Sequence, residues 1–380
     1  MLFLILLISA TFVCAAPVDA ALNLGADDAG ICFGNSPYHN GIRINFIDED
    51  IREINGLNIT FWKARDNRHS VINGIAFGLA APEAREIEGL ALGVGGIAAD
   101  QLEGVGIAGF GIGCDHITGL GLSGFGIGAD DSFDGIGIAG IGIGGGQMTG
   151  LFLSGIGVGC DDNLTGIAVS GVGVGCEDDL TGIAIGAVGV GGGNSVRGLA
   201  LGGLGVGAGG NFTGIGAGVF GVGAGASFTG IGIGGLGVGA GRDFTGIGIG
   251  GLGIGAGKSF TGLGIGGLGI GAGEQFTGIG IGGIGVGAGE TLRGLAIGGV
   301  GVGSIEIVGV ALAGLELKAE EFTGFGTGAY CRIKGECTGL TIGLLNMAET
   351  LNGVQLGLLN NAKNNPAGLQ WLPLINVHID

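Results

Sequence analysis

The sequence is poor in basic residues, with only 14 lysines and arginines against 32 aspartates and glutamates in 380 residues. Its formal net charge at pH 7 is −18. Nucleic-acid binding needs clustered Lys and Arg to neutralise phosphates, so the composition excludes that class of partner. The same charge excludes binding to an anionic membrane surface by repulsion, whereas cation binding stays open.

Proline is also scarce, at 5 residues, although glycine reaches 99. Collagen needs glycine at every third position together with abundant proline, so the composition excludes a collagen helix. Disordered chains lack the apolar residues that make up 46% of this sequence. The sequence therefore predicts a folded chain with a large apolar core.

Long apolar runs without glycine are missing after residue 20, so the sequence predicts no membrane-spanning helix. Residues 1–20 read "MLFLILLISATFVCAAPVDA", an apolar run followed by small residues. Val18 to Ala20 match the small-x-small pattern of a signal-peptidase site, although a basic start is missing. We therefore expect a secretory signal peptide at residues 1–20 and a secreted or cell-surface location.

What the sequence has in excess is a glycine-rich repeat. "FTGIGIGGLGVGAGRD" begins at Phe228, and close copies begin at Phe244 and Phe260. Degenerate copies extend the pattern to about twenty-one units of about 15–16 residues. We number each unit from position 1, which is Phe228 in the quoted copy.

Apolar residues alternate with glycine in both halves of a unit, and a period of two predicts strands. The alternation breaks near Gly234 and Gly235, where we expect a tight corner between two short strands. With such a corner, four aliphatic side chains would point into one shared interior: Ile231, Ile233, Leu236 and Val238. It would leave the other glycines facing outward: Gly232, Gly237 and Gly239.

Units of this kind stack into a parallel β-solenoid, an all-β fold in which equivalent residues form columns about 4.8 Å apart. We expect one internal column of aromatic rings, at Phe212, Phe228, Phe244, Phe260 and Phe276. The alternatives are an antiparallel β-meander and a transmembrane β-barrel, whose strands also alternate. Successive units are alike, whereas a barrel alternates short and long turns, so the pattern favours the solenoid.

The repeat quality divides the chain after the signal peptide. Residues 21–71 form a predicted N-terminal cap with degenerate coils, residues 72–336 the glycine-rich solenoid, and residues 337–380 C-terminal coils with a cap. The last segment contains "TGLTIGLLNMAET", "NGVQLGLLNNAKN" and "GLQWLPLINVHID", and residues 40–48 read "NGIRINFID".

These segments resemble the surface-repeat family of bacterial envelope proteins, whose units read roughly NGLQLGLxN before an LPLIN-like closing segment. The resemblance implies a secreted or surface-exposed bacterial protein and brings no catalytic residues. It covers about 45 C-terminal residues, and the middle departs from it by replacing polar columns with glycine.

Six cysteines follow the predicted signal peptide. Cys160 and Cys176 share position 13 of successive units, so they should be stacked neighbours within reach of a disulfide. Cys331 and Cys337 are closer in sequence and form a second candidate pair. C-x-x-C spacing with a metal partner is missing, so the cysteines do not indicate a zinc site.

Acidic turns form the candidate metal site. Stacked carboxylates repel one another and would favour a cation, so a calcium site is possible, while a solvated acidic edge is the simpler interpretation. The candidate ligands are Asp130, Asp131, Asp161, Asp162, Glu177, Asp178 and Asp179.

The four histidines do not stand at a recognisable spacing from a nucleophile, so the sequence predicts no enzyme and no cofactor other than this possible calcium. We expect a structural, adhesive or interaction role with an envelope or extracellular partner, and possible end-to-end self-association. The alternatives are an outer-membrane pore and a calcium-stiffened surface binding protein.

Overall fold

The computed structural model describes residues 21–26 and 28–379, so the predicted signal peptide lies outside the described residues. The described part is all-β, with 36 strands and no helix. Among these residues, nothing helical is long and apolar enough to span a membrane. The chain divides into two compact units, unit 1 at Met1–Glu177 and unit 2 at Asp178–Asp380.

The described part of unit 1 contains thirteen strands. They are β1 Ala21–Ala26, β2 Ala29–Gly34, β3 Tyr38–Asn45, β4 Glu53–Thr60, β5 Val71–Gly78, β6 Glu83–Gly93, β7 Gly96–Ala108, β8 Gly111–Ser123, β9 Gly126–Ala139, β10 Gly142–Ser154, β11 Gly157–Cys160, β12 Leu164–Ser170 and β13 Gly173–Cys176.

The described part of unit 2 contains the other strands, mostly a longer and a shorter one in each coil. They are β14 Asp179–Gly186, β15 Gly189–Gly192, β16 Ser195–Gly202, β17 Gly205–Ala208, β18 Asn211–Gly218, β19 Gly221–Ala224, β20 Phe228–Gly234, β21 Gly237–Ala240, β22 Phe244–Gly250, β23 Gly253–Ala256, β24 Ser259–Gly266, β25 Gly269–Ala272, β26 Gln275–Gly282, β27 Gly285–Ala288, β28 Thr291–Gly298, β29 Gly301–Gly303, β30 Glu306–Ala313, β31 Glu316–Ala319, β32 Glu321–Thr327, β33 Tyr330–Ile333, β34 Glu336–Ala348, β35 Thr350–Ala362 and β36 Trp371–His378.

Successive coils pair in parallel and in register. In unit 2, β20 pairs with β22 so that Phe228 lies beside Phe244 and Thr229 beside Thr245. In unit 1, β11 pairs with β13 in the same way. These stacked coils confirm the predicted β-solenoid, with about 20 turns along the chain. The alternative folds, an antiparallel meander or a barrel, required antiparallel neighbours along the repeat, so the parallel pairing of the coils overturns them.

Antiparallel strands stand at the two ends of this parallel stack. In unit 1, β1 pairs antiparallel with β2. In unit 2, β36 pairs antiparallel with β35. The terminal strands differ from the repeat and cover one edge of each terminal coil, as capping of a repeat array requires.

The predicted interior was wrong at three of its four positions. Val238 is 3% exposed, but Ile233 and Leu236 are 44% and 48% exposed and Ile231 is half-buried. Alternation counted from the buried Phe228 continues through Gly230, whose φ is 133°, to Gly232 and Gly234, which are also buried. Ile231 and Ile233 consequently face outward.

The predicted corner lies close to its expected place, since β20 ends at Gly234 and β21 begins at Gly237. Glycine is needed at position 235 because of close contact with the preceding coil, not because of a positive φ. A Cβ at Gly235 would lie 2.0 Å from the carbonyl oxygen of Val219 in the preceding coil. The close stacking of coils therefore excludes a side chain there.

The true core consists of position 1, position 11 and the small residues between them. The five predicted phenylalanines form one internal ladder with ring centroids 4.7 to 5.0 Å apart. Each ring packs against the backbone at position 5 of its own coil. A Cβ at Gly232 would lie 2.6 Å from Val238 Cγ1 and 3.1 Å from Phe228 Cζ, so the inward glycine makes room for the ring.

Candidate functional site

The outward side chains of the longer strands in unit 2 are aliphatic in almost every coil. We call the columns at positions 4 and 6 the outer apolar face. All of its members are half-buried or exposed. They are, at position 4, Ile183, Leu199, Ile215, Ile231, Ile247, Leu263, Ile279, Leu295, Val310, Phe325, Leu340 and Val354, and at position 6, Ile185, Leu201, Ala217, Ile233, Ile249, Ile265, Ile281, Ile297, Leu312, Ile342 and Leu356.

Position 9 adds a third apolar column at the corner beside this face. We call it the corner column. Its members in unit 2 are 44 to 59% exposed, namely Val188, Leu204, Phe220, Leu236, Leu252, Leu268, Ile284, Val300 and Leu315. Soluble monomers rarely expose contiguous apolar patches above a few hundred Å², so this surface is the main functional candidate.

Charged side chains of unit 2 lie beside the face. Arg197 and Arg293 stand at position 2, where they approach Asp179 at 3.2 Å and Glu306 at 3.9 Å. Other charges, such as Arg242 and Asp243, occupy the turns between coils. The outer apolar face itself carries no charged residue at positions 4 or 6 among the twelve described coils of unit 2.

A glycine-floored groove lies on the shorter strands of unit 1. Its floor includes Gly128 and Gly159, and its rim includes Asp130, Asp161 and Glu177. A Cβ at either of these floor glycines would meet no atom within 4 Å. The floor is therefore bare backbone, and the rim brings together three of the predicted calcium ligands along one groove.

The structure does not assemble the predicted acids into a metal site. Asp130, Asp131, Asp161, Asp162 and Glu177 are exposed in unit 1, while Asp178 and Asp179 belong to unit 2. Across residues 21–26 and 28–379, no three His, Cys, Asp or Glu side chains stand in a metal-binding arrangement. Calcium binding stays a prediction, to be checked by whether millimolar calcium raises the melting temperature.

Asp179 has a structural role between coils. Its carboxylate accepts hydrogen bonds from Ser195 Oγ at 2.6 Å, Asn194 Nδ2 at 2.9 Å and Arg197 Nη1 at 3.2 Å. The Ser195 hydrogen bond, ahead of the Arg197 contacts, holds the pKa of Asp179 below its usual value.

Of the two candidate cysteine pairs, the structure joins Cys160 and Cys176, whose Cα atoms are 4.7 Å apart in adjacent coils. Cys331 and Cys337 are both free and buried. Cys331 aligns with Leu317, whereas Cys337 aligns with Phe322, so the two thiols stand in different columns and do not pair.

The free thiols are poor nucleophiles. Burial raises the pKa of Cys114, Cys331 and Cys337 to about 12. A thiol with such a pKa carries almost no thiolate at neutral pH, and the thiolate is the reactive form.

One polar cluster was missed from the sequence. His116 Nδ1 lies 3.0 Å from Ser132 Oγ, and His116 Nε2 lies 3.4 Å from Asp131 Oδ2. Parallel stacking places Ser132 beside His116, which the sixteen-residue spacing could have indicated. The side chains of His116 and Asp131 are 45% and 68% exposed, whereas catalysis needs a desolvated site, so we interpret the cluster as a link between coils.

No family model matches the chain, and no curated protein or solved structure is similar enough to count as a relative. The function of the chain is therefore inferred from the surface of the molecule.

Proposed function

We propose that this chain is a non-enzymatic structural and adhesive repeat protein, secreted or held at a cell surface, that binds an extracellular or envelope partner through its outer apolar face. The observation that carries the proposal is the face itself. Two apolar columns stand outward through twelve coils of unit 2, interrupted in the described coils at Thr327 of position 6, and an apolar surface of that extent marks an interaction site.

The other features agree with this role. The export signal expected at residues 1–20 supports a location outside the cell. The resemblance of the C-terminal coils to surface repeats supports the same location. The fold is a regular scaffold that repeats one surface many times, and such scaffolds commonly provide extended binding surfaces.

The test uses two matched triple variants of the full chain. The face variant replaces Ile249, Ile265 and Ile281 with lysine, because a charge within an apolar face opposes its burial against a partner. The control variant replaces Gly239, Gly255 and Gly271 with lysine on the outward side of the shorter strands, where a Cβ meets open space.

We expect the unaltered chain and the control variant to be labelled by a membrane-impermeant reagent on intact cells of the source organism. The face variant should be exported but released into the medium, because it cannot hold a partner that is retained at the surface, whether that partner is a different molecule or an anchored copy of this chain. Labelling of the unaltered chain only after lysis, or full retention of the face variant at the surface, would contradict the proposal.

A further inference from the structure

We infer that the partner of the outer apolar face is a second copy of this chain, packed face to face. The inference rests on the proposed function because both use the same face. It goes further by naming the occupant as an identical solenoid.

The repeat distance is the first argument. Columns of the face rise by one coil spacing, which the ring ladder inside measures as 4.7 to 5.0 Å. Side chains of two sheets interdigitate only when their repeats match, since any mismatch accumulates along the contact. A second copy has the same repeat in all twelve coils of unit 2.

The available area is the second argument. The two columns at positions 4 and 6 each occupy about two residues of strand and together span about 13 Å at about 3.3 Å per residue, and twelve coils span about 58 Å at about 4.8 Å each. Their product is about 750 Å² on each partner, close to the roughly 800 Å² that one side of a stable interface buries. Unit 2 alone is therefore large enough to hold a dimer.

Charge is the third argument. Each copy has a net charge of −18, so two copies can approach closely only through a surface without charge. The outer apolar face is such a surface, because its neighbouring charges lie at position 2 and in the turns.

A lipid surface fits the same observations less well. Membrane-binding faces are flanked by Lys and Arg and anchored by Trp and Tyr. This chain has 14 basic residues, 2 tryptophans and 2 tyrosines, and its face consists mainly of Ile, Leu and Val, without Trp or Tyr.

A face-to-face dimer is also self-limiting. Two identical faces related by a two-fold axis form an isologous contact that closes on itself. Both apolar surfaces are then covered.

Sedimentation equilibrium of the full chain provides the first test. We expect a species of twice the chain mass of 36.7 kDa, with a dissociation constant at or below about 1 μM. In the face variant, that constant should rise by about 100-fold or more, and in the control variant it should stay within about threefold.

A single-site photo-crosslink keeps the test valid even where the triple variant misfolds. p-Benzoylphenylalanine in place of Ile265 should yield a covalent dimer on irradiation. The same group in place of Gly271, on the shorter strand β25, should yield none.

The inference fails if the chain stays monomeric, if the face variant dimerises like the unaltered chain, or if only the Gly271 site crosslinks. It also fails if the monomer floats with phosphatidylcholine vesicles through this face, since the occupant is then lipid. In each of these cases, surface retention that still depends on the face leaves the proposed function standing. A dimer of a chain that never leaves the cell would support the inference and contradict the function.

Discussion

At the scale of single residues, the size of position 1 is matched by the size of position 5 in the glycine-rich coils of unit 2. Each phenylalanine of the central ladder stands with an inward glycine, as Phe244 does with Gly248. Where position 1 is smaller, position 5 is alanine in the pairs Leu180–Ala184, Val196–Ala200, Leu292–Ala296 and Ile307–Ala311. Volume is thus conserved within a coil, as close packing requires.

Gly248→Ala should therefore destabilise the fold by overpacking. The new Cβ would lie 3.1 Å from both Phe244 Cζ and Ile254 Cδ1, and overpacking typically costs about 1–3 kcal/mol of the free energy of unfolding. Denaturant unfolding would measure it. Gly255→Ala in the same coil is the control, because its Cβ meets nothing within 4 Å and should change stability by at most about 0.5–1 kcal/mol, in the stabilising direction.

The double change Phe244→Leu with Gly248→Ala should recover much of that loss, since it reproduces the natural Leu292–Ala296 combination. We expect a favourable coupling energy of about 0.5–3 kcal/mol in the double-mutant cycle. Strict additivity would show that the two residues do not compete for the same space.

The sequence was sufficient to predict strands, stacking and the phenylalanine ladder, because period two and a constant repeat length determine them. The sequence did not lead to a correct prediction of whether Ile231 and Ile233 face inward or outward. Alternation of isoleucine with glycine reads the same in both directions by itself, and only the count from the buried Phe228 places Ile231 and Ile233 on the outward side. The pairing of Phe with Gly at positions 1 and 5 was the available signal.

At the scale of elements, polar groups of the turns link one coil to the next. Asp179 belongs to β14, and its lowered pKa means that the carboxylate is more stable in the folded chain than in the unfolded one. This stabilisation is complete above the ordinary Asp pKa of about 3.9 and is lost as pH falls through the lowered folded value.

Urea unfolding of the unaltered chain and of Asp179→Asn across pH 2 to 7 checks this expectation. The stability difference should be constant near neutral pH and should shrink as pH falls below about 4. Ser195→Ala should weaken the pH dependence, because it removes the largest cause of the shift. A difference that grows toward low pH would contradict it.

The disulfide links the strands β11 and β13 and closes a loop of sixteen residues. Such a loop is worth about 2–4 kcal/mol in the free energy of unfolding. Dithiothreitol should accordingly lower the melting temperature of the unaltered chain, and the double variant Cys160→Ser with Cys176→Ser should melt at the lowered temperature with or without it. If dithiothreitol lowered the melting temperature of the double variant by the same amount, the change would have to come from other cysteines.

The candidate site was harder to predict than the strands. Asp161 was correctly placed between strands, but Asp130 lies within β9, and among the described residues neither carboxylate converges with two further metal ligands. The apolar columns were assigned to the interior, because hydrophobic residues are usually buried. Their exposure follows from alternation with the buried residue at position 1, so one error in direction concealed the whole outer apolar face.

At the scale of the whole molecule, identical coils make the central repeat modular. Deleting the sixteen residues 244–259 should leave a folded chain with one cooperative melt, because the coil of Phe228 can then stack on that of Phe260 in the same register. Deleting the eight residues 244–251 removes half a coil and should abolish cooperative melting. Equal effects of the two deletions would contradict an array of interchangeable coils.

The outer apolar face requires that the side chains at positions 4 and 6 point outward. One coil contains a matched pair of isoleucines that tests this orientation. Ile249 is 40% exposed on the outer apolar face, and Ile254 is 4% exposed in the core. Both are isoleucines in strands of the same coil, so replacing each with lysine makes the same chemical change in two environments.

The free energy of unfolding of these two variants is the most direct measurement. Ile249→Lys should cost at most about 1 kcal/mol, the loss of its contacts within an exposed column. Ile254→Lys should cost more than about 4 kcal/mol or prevent folding, because it buries an unpaired charge. Equal costs, or a larger cost at Ile249, would show that the aliphatic columns face the interior and would contradict the outer apolar face.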